Sequence, residues 1–337
     1  MKLPTIPTVG SAVLAGISLV TPALAVVNID YVTVGNAGNA NDAATGSVYG
    51  AVAYAYKIAQ NETTISQYAE FLNAVAKTDT YSLYNSNMTT SYINGIARSG
   101  VSGTYIYTVN SGSGNKPITY VSWFDAARFS NWLHNGQPGG AQDAASTEDG
   151  AYTLLGAMSG IIAKNGGAKA WIPSESEWYK AAYYDPNKGG LGVGGYWQQA
   201  NQSNTMAGNT IGVAGSANYY DGDYVGSGNG SFPTSNALTD VGAYGLNSDS
   251  AYGTNDQAGN VFEWTDAVIS GSSRGLRGGA WNNNAFALPA STRNNGDPTN
   301  EGNFVGFRVA SVPEPSAVVL TLLSVSACLT RRRRSPL

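Results

Sequence analysis

Helical periodicity is confined to three short stretches of this 337-residue sequence, and this scarcity limits the possible folds more than any other feature. In each stretch apolar residues recur three or four positions apart, which is the spacing of one helix face. A Ser or Thr that can cap a helix stands directly before each stretch. The pattern predicts helices over residues 65–76, 123–133 and 175–184. The rest of the fold must therefore come from strands and loops.

Short strand-like runs separated by Gly, Asn and Ser fill most of the remaining sequence. The candidate strands are residues 48–58, 105–109, 118–121, 261–264 and 306–310. Residues 110–116, 135–150 and 186–235 have the composition of loops, and loops this long are often functional or held by a ligand. No repeat of 20–50 residues is present, which argues against a solenoid or a propeller. We expect one irregular α+β domain over residues 26–311, with few helices on small antiparallel sheets.

Composition excludes several classes of function. The chain has 18 basic and 22 acidic residues, and a nucleic-acid partner would require a basic surplus. A single Cys excludes a disulfide framework and a Cys-cluster metal site. A single His, His134, excludes zinc or iron sites built from several histidines.

The first 25 residues have the pattern of a signal peptide for export. Lys2 supplies a positive charge, residues 12–20 are mainly apolar, and Ala23-Leu24-Ala25 fits a cleavage site with small residues. We expect the mature chain to begin near Val26. The alternative is a buried strand or helix at the N-terminus.

Residues 312–337 combine a short motif, an apolar stretch and a run of arginines. These parts are Pro313-Glu314-Pro315, Ala317–Leu329 and Arg331–Arg334. The apolar stretch is shorter than the roughly 20 residues that span a bilayer as a helix. The arrangement resembles the PEP-CTERM sorting signal, which implies processing by an exosortase, transient membrane association and delivery to the cell surface or extracellular matrix. The alternative is a weak membrane anchor that is never cut.

Removal of both terminal segments would make the chain strongly acidic. Residues 1–25 and 316–337 contain five of the basic residues and no acidic one, which leaves 13 basic and 22 acidic residues and a net charge of −9. Such a body repels polyanions and offers carboxylates to hard cations such as calcium.

Four motifs in order along the chain carry a family resemblance. They are Pro117–Ala127, Trp171–Trp178, Gly259–Trp264, and Arg277–Trp281 together with Gly306–Ala310. The set resembles the formylglycine-generating enzyme family, also called sulfatase-modifying factor domains. The resemblance implies a variant of the C-type lectin fold. It also implies relatives that are copper oxidases, iron-dependent sulfoxide synthases or non-catalytic binding proteins.

The residues of the copper site do not match those of the oxidases in this family. The resemblance implies two Cys ligands after the Gly-Gly motif, at the positions held here by Asn283 and Leu288. Neither side chain can supply the soft thiolate that suits Cu(I). The sulfoxide synthases take iron from a His-rich partner domain, and His134 alone is expected to be a helix C-cap or a surface residue. We therefore expect no copper, no catalytic residue and no formylglycine synthesis.

A structural calcium site is the metal site that the resemblance does imply. Its ligands would be Asp256, the carbonyls of Gly259 and Val261, and the carboxylate of Glu263. Hard oxygen donors on a short turn and strand suit calcium, which takes 6–8 oxygens. The alternative is that Glu263 pairs with Arg308 or Arg277 and that Asp256 caps a turn.

A second calcium site would begin at Asn218 and Tyr219 by the same resemblance. Its acidic partner stays unassigned because the sequence has a gap relative to the family downstream of these residues. We treat this as the weaker of the two sites.

An Asn-rich segment after the Gly-Gly motif is the candidate ligand-binding surface. Its residues are Trp281, Asn282, Asn283, Asn284, Arg293 and Asn294. Asn side chains both donate and accept hydrogen bonds, and aromatic rings add apolar platforms, a combination that suits sugars or peptide backbones. The alternative is that these Asn side chains only satisfy backbone groups in irregular loops. We expect Arg293 and Arg308 to form buried structural ion pairs.

Together these features predict an exported cell-surface or matrix protein with a non-catalytic domain. The expected partner is an extracellular polysaccharide or a matrix protein, with calcium as a structural ion. The main alternative is an oxidoreductase of the formylglycine-generating class with altered chemistry. A purely structural matrix component is a third possibility.

Overall fold

The computed structural model describes residues 26–225, 230–235 and 237–313. The candidate signal peptide, Glu314 and Pro315 of the sorting motif, and the apolar and Arg-rich parts of the tail lie outside the described residues. Within the described part, no helix has both the length and the apolar character needed to cross a lipid bilayer.

Three α-helices form where the periodicity predicts them. They are α1 (Ile65–Val75), α2 (Trp123–His134) and α3 (Glu175–Tyr183). Each begins with a capping box, in which the residue before the helix and the third helical residue exchange hydrogen bonds. The pairs are Thr64 with Gln67, Ser122 with Asp125, and Ser174 with Glu177. Because these bonds are local, the start of each helix is encoded in four consecutive residues.

Twelve short strands are present in the described ranges. They are β1 (Tyr31–Val34), β2 (Tyr56–Ala59), β3 (Ile96–Ser99), β4 (Ile106–Val109), β5 (Ala170–Trp171), β6 (Tyr184–Asp185), β7 (Gly195–Tyr196), β8 (Phe262–Ser270), β9 (Ser273–Arg277), β10 (Asn294–Gly296), β11 (Val305–Gly306) and β12 (Ala310–Ser311). One sheet has the order β1-β2-β12-β5 and another the order β10-β9-β8-β11. The hairpins β3-β4 and β6-β7 form two-stranded sheets. All pairs are antiparallel except β11 with β8.

The expected α+β class, with few helices and small antiparallel sheets, is confirmed. Several strand boundaries predicted from the sequence are wrong. Residues 48–55 and 118–121 form no strand, and the predicted strand over residues 306–310 is split between β11 and β12. Residues 118–121 are apolar because they are buried, as Ile118 and Val121 are, which gave them the appearance of a strand without a pairing partner. Residues 48–55 are mostly exposed, and Val48 and Tyr54 are 67% and 50% accessible.

Aromatic side chains form the centre of the core between α1 and α2. The Phe71 ring lies 5.3 Å from both Phe129 and Trp132, and Phe129 lies 5.4 Å from Phe307 of the segment between β11 and β12. A smaller cluster under α3 packs Trp178 and its neighbours against Leu288. The two clusters fix the segment after β9, which carries the candidate ligand-binding surface.

Candidate functional site

Asn283 and Leu288, where the family resemblance would place the copper ligands, have structural contacts here. The Asn283 Oδ1 accepts a hydrogen bond from the Ala280 N–H at 3.1 Å, and the Asn283 N–H donates to the Ala280 carbonyl at 2.9 Å. Leu288 is fully buried in the cluster under α3. A Cβ on Gly279 would approach Leu288 Cδ2 to 2.6 Å, so the chain passes close to this side chain. One position therefore closes a turn and the other fills the core.

Aromatic rings surround Trp281, and we call Tyr92, Tyr220, Tyr224, Phe232 and Trp281 the Trp281 cluster. Ring centroids of Phe232 and Tyr224 lie 5.3 and 5.8 Å from that of Trp281. The Tyr220 ring centroid lies 4.7 Å from that of Tyr224 with the rings tilted by 50°, and Tyr92 lies 5.5 Å from Phe232. Trp281 is buried, whereas Phe232 is 50% exposed. The cluster thus presents part of its apolar surface to solvent.

The three Asn residues after Trp281 have different roles. Asn283 closes a turn, and the Asn284 Oδ1 accepts from the Phe286 N–H at 3.2 Å at the start of the short 3-10 helix Ala285–Ala287. These two follow the alternative in which Asn side chains satisfy backbone groups. The Asn282 Oδ1 differs because it is buried and has no hydrogen-bond partner among the described residues. Asn282 is therefore the Asn of this run whose oxygen is not used to satisfy a backbone group.

Arg293 and Asn294 lie at the far end of the same segment. The Arg293 Nε and NH2 donate to Glu175 at 2.9 and 2.6 Å, and the Arg277 Nε donates to the same carboxylate at 2.9 Å. The Arg293 side chain is 36% exposed, so its ion pair is only partly buried, unlike the one expected from the sequence. Asn294 is exposed on β10.

Glu263 forms an ion pair, as in the alternative to the calcium site. Its Oε2 accepts from Arg308 Nε at 2.6 Å and from Trp178 Nε1 at 2.8 Å, and its Oε1 accepts from Arg308 NH2 at 2.7 Å. Neither the Glu263 nor the Arg308 side chain is exposed. Arg308 neutralises this carboxylate, and Arg308 and Trp178 together donate to both of its oxygens, which disfavours it as a calcium ligand.

The other three predicted ligands lie in the turn that leads into β8. The Asp256 Oδ2 accepts from the Gly242 N–H at 2.6 Å, and burial raises the pKa of Asp256 to about 6. Gly259 has φ +81°, and a Cβ there would lie 2.3 Å from the Asn218 carbonyl oxygen. Val261 is fully buried. The backbone at Gly259 is thus held tightly against Asn218.

The second predicted site lies beside the first. The Asn218 Nδ2 donates to the Ala237 carbonyl at 3.1 Å and to Asn260 Oδ1 at 3.0 Å, while its Oδ1 is buried without a partner. The Tyr219 carbonyl accepts from Asn209 Nδ2 at 3.0 Å. Over the described ranges, no three Asp, Glu, His or Cys side chains converge closely enough to hold a metal ion.

Glu62 is a buried carboxylate that the sequence interpretation did not single out. It is 1% exposed, and neither of its carboxylate oxygens has a hydrogen-bond partner within the part of the chain that the structure describes. Its position just before the Thr64 cap of α1 gives no sign of burial, because acidic residues near helix starts are usually solvated.

His134 has a structural position at the end of α2. Its Nδ1 accepts from the Lys169 N–H at 3.1 Å. Burial and the positive charge of Lys169 lower its pKa. The contact holds the segment before β5 against the helix.

The fold and these motifs define a domain of the sulfatase-modifying factor class. The family model described as "Sulfatase-modifying factor enzyme 1-like domain" matches residues 30–312, and the chain belongs to that family. The fold is of the formylglycine-generating enzyme type, a C-type lectin variant. No protein with a curated description matches the sequence significantly.

Solved structures of similar fold are distant in sequence. Treponema denticola variable protein 1 is 20% identical, with a TM-score of 0.52 over 87% of this chain and 100% of that chain. CarF is 20% identical, with a TM-score of 0.49 over 85% and 99% of the two chains. PvdO from Pseudomonas aeruginosa is 16% identical, with a TM-score of 0.44 over 86% and 93%. At these identities the likeness concerns the fold alone.

Proposed function

We propose that this chain is an exported surface or matrix protein whose domain binds a glycan or protein ligand at the Trp281 cluster without catalysis. The observation that carries the proposal is the pairing of partly exposed rings with the unpartnered Asn282 Oδ1 next to Trp281. Aromatic faces and an unpartnered amide acceptor suit the apolar faces and hydroxyl groups of sugars, as well as peptide backbones.

The proposed absence of catalysis depends on the two positions that would have to bind copper. Asn283 and Leu288 provide no thiolate, and their side chains close a turn and fill the core. The test is incubation of the copper-treated protein with a Cys peptide of the sulfatase type, followed by mass spectrometry. Unconverted peptide is expected, and conversion of Cys to formylglycine would show that the chain is an oxidoreductase with altered chemistry.

The binding proposal is tested with purified full-length protein on a glycan array and against purified matrix proteins. Truncating the exposed ring in Phe232→Ala is expected to weaken binding about tenfold or more, since central aromatic contacts dominate binding energies. The matched control is Leu191→Ala, which truncates another exposed apolar side chain, 95% accessible, outside the cluster. The absence of any ligand on both panels, or equal losses in the two variants, contradicts the proposal.

Export is proposed from the two terminal segments. The signal peptide over residues 1–25 would be cleaved near Val26, and an exosortase would process the tail at Pro313-Glu314-Pro315. Pro313 follows β12 and is exposed, so the motif begins at the surface of the domain. Mass spectrometry of the protein from the cell surface should give a chain that starts near Val26 and lacks the arginines of the tail. Full-length protein confined to the cell interior contradicts export.

Calcium is proposed as the structural ion of this domain, beside the turn that leads into β8. Buried oxygen acceptors without partners lie near this turn, including Asn218 Oδ1. Hard oxygen donors of this kind are the ligands that calcium prefers. Chelation is therefore expected to lower the melting temperature, and an unchanged melting temperature contradicts the proposal.

A further inference from the structure

Glu62 and Thr63 place unpartnered oxygens deep inside the protein, at the start of α1. Both Glu62 carboxylate oxygens and the Thr63 Oγ1 are buried without a hydrogen-bond partner among the described residues. An unpaired buried carboxylate is costly, so such groups normally bind a cation or take up a proton. The Glu62 carboxylate is therefore a candidate to bind a cation, with the Thr63 hydroxyl as a further oxygen.

Arg308 is a positive charge that acts electrostatically on Glu62, but all of its N–H groups already donate to other acceptors. Its five N–H groups donate to the two Glu263 oxygens and to the carbonyls of Ala59, Gln60 and Asn255, at 2.6 to 3.1 Å. No donor of the guanidinium is left for Glu62. The ion pair with Glu263 is complete without Glu62.

Negative charge exceeds positive charge around Arg308. Besides Glu263, both Glu62 and Asp256 act electrostatically on this guanidinium. Burial raises the pKa of Glu62 well above its usual range, and among charged groups Asp256 contributes most to that rise. Three carboxylates and one guanidinium leave an excess of two negative charges when all are ionised. A divalent cation would neutralise that excess.

A cavity beside Glu62 offers space and further oxygens. Its volume is about 380 Å³, and its lining includes Glu62, Thr63, Asn61 and Val241. The Asn61 Oδ1 accepts from Asn255 Nδ2 at 2.9 Å, and Val241 precedes the Gly242 N–H that binds Asp256. The cavity wall thus contacts Asn255, which precedes Asp256 in the sequence, and adjoins Gly242, which donates to the Asp256 carboxylate.

We propose that Glu62 and Asp256 together bind the divalent cation. Glu62 then takes the ligand position expected of Glu263, whose carboxylate is paired with Arg308. This inference rests on the calcium proposed above and changes its ligand set. Calcium fits the donor chemistry because it accepts carboxylate, hydroxyl and carbonyl oxygens in a flexible arrangement. Glu263 then belongs to the ion pair alone.

The test measures calcium binding and thermal stability of the full-length protein. Calorimetric titration with calcium is combined with melting curves in calcium and in chelator, for the wild type and for Glu62→Gln. Calcium at a hundredfold above its dissociation constant is expected to raise the wild-type melting temperature by about 5–10 °C. Glu62→Gln is expected to lose this shift and to melt no lower than the wild type in chelator, because a neutral amide removes the unpaired charge.

Two further variants separate the possible ligands. Glu70→Gln changes an exposed acid on α1, the helix that begins three residues after Glu62, and is expected to keep the full calcium shift. Glu263→Gln is expected to melt lower both with and without calcium, while keeping the shift between the two conditions. If it fails to fold, the comparison of Glu62→Gln with Glu70→Gln is sufficient.

Two outcomes overturn the inference in different ways. If Glu62→Gln keeps the calcium shift, Glu62 is not a ligand, although the proposed calcium survives. If the wild type neither binds calcium nor shifts, the calcium proposal fails as well, and Glu62 is a buried neutral acid. Ligand binding at the Trp281 cluster is measured separately, so neither outcome decides it.

Discussion

Arg308 and Glu263 form a bidentate ion pair in which neither side chain reaches solvent, with Nε–Oε2 and NH2–Oε1 distances of 2.6 and 2.7 Å. Glu263 lies on β8, and Arg308 lies in the segment between β11 and β12. The pair therefore links the sheet β10-β9-β8-β11 to the segment just before β12.

Breaking this pair should be strongly destabilising. Glu263→Gln removes the carboxylate that pairs directly with the buried Arg308 guanidinium, and we expect a loss of about 3–5 kcal/mol in the free energy of unfolding, measured with urea. The control is Asp240→Asn, which breaks the 3.3 Å pair with Lys116 at a carboxylate that is 53% exposed. That change should cost less than about 1 kcal/mol. Similar losses in the two variants would contradict the structural role of the buried pair.

Gly259 should tolerate no side chain, whereas Gly38 should tolerate one. Both have left-handed backbones, with φ of +81° and +80°. A Cβ at Gly259 would lie 2.3 Å from the Asn218 carbonyl, whereas nothing lies within 4 Å of one at Gly38. Gly259→Ala should cost about 3 kcal/mol or more, and Gly38→Ala about 1–2 kcal/mol. Equal urea midpoints for the two variants would contradict the close contact between Gly259 and the Asn218 carbonyl.

Leu288 should behave as a core residue, although the family resemblance would place a copper ligand at its position. Leu288→Ala removes a fully buried side chain and should cost about 2–5 kcal/mol. Phe286→Ala, two residues earlier, truncates a side chain that is 85% exposed and should change stability by no more than about 0.5 kcal/mol. Denaturant unfolding of both variants checks this, and an unaffected Leu288→Ala would mean that the site is open.

Asp125 should make stability fall as the pH rises from about 4 to about 7. Burial, with the nearby charge of Glu301, raises the pKa of Asp125 in the folded protein to about 7. In the unfolded chain the pKa is about 3.9. Between these values the folded protein holds a proton that the unfolded chain has lost, so unfolding releases a proton and stability declines with pH.

Asp125→Asn isolates this contribution. The neutral amide carries no such penalty, so the stability of the variant relative to the wild type should increase with pH, by at most about 1.4 kcal/mol per pH unit. Urea unfolding between pH 4.5 and 8 measures the difference. A difference that stays constant over this range would show that Asp125 does not titrate in the folded protein as expected.

The helices could be predicted from the sequence because their signals are local. Ser174 and Glu177 are three residues apart and form the predicted capping box of α3. The strands are different, since most have two to five residues and pair with distant segments. The pair between Ala310 of β12 and Ile58 of β2 is one that no local pattern reveals.

The candidate site was only partly predictable for the same reason. The motif around Gly278 and Gly279 located Trp281 and Asn282, but the surrounding rings come from segments as distant as Tyr92 and Phe232. The partner of Arg293 is Glu175, 118 positions away. Glu62 was missed because its burial depends on how the turn before β8 packs against the start of α1.

The central place of β12 in the first sheet also has a consequence for biogenesis. This strand pairs with β2 on one side and with β5 on the other. The sheet therefore lacks one of its central strands until residue 311 has been synthesised. A nascent chain shorter than this would expose the edges of both neighbours, which invites aggregation. The polypeptide must therefore emerge from the ribosome or the translocation channel as far as residue 311 before the sheet β1-β2-β12-β5 can form completely.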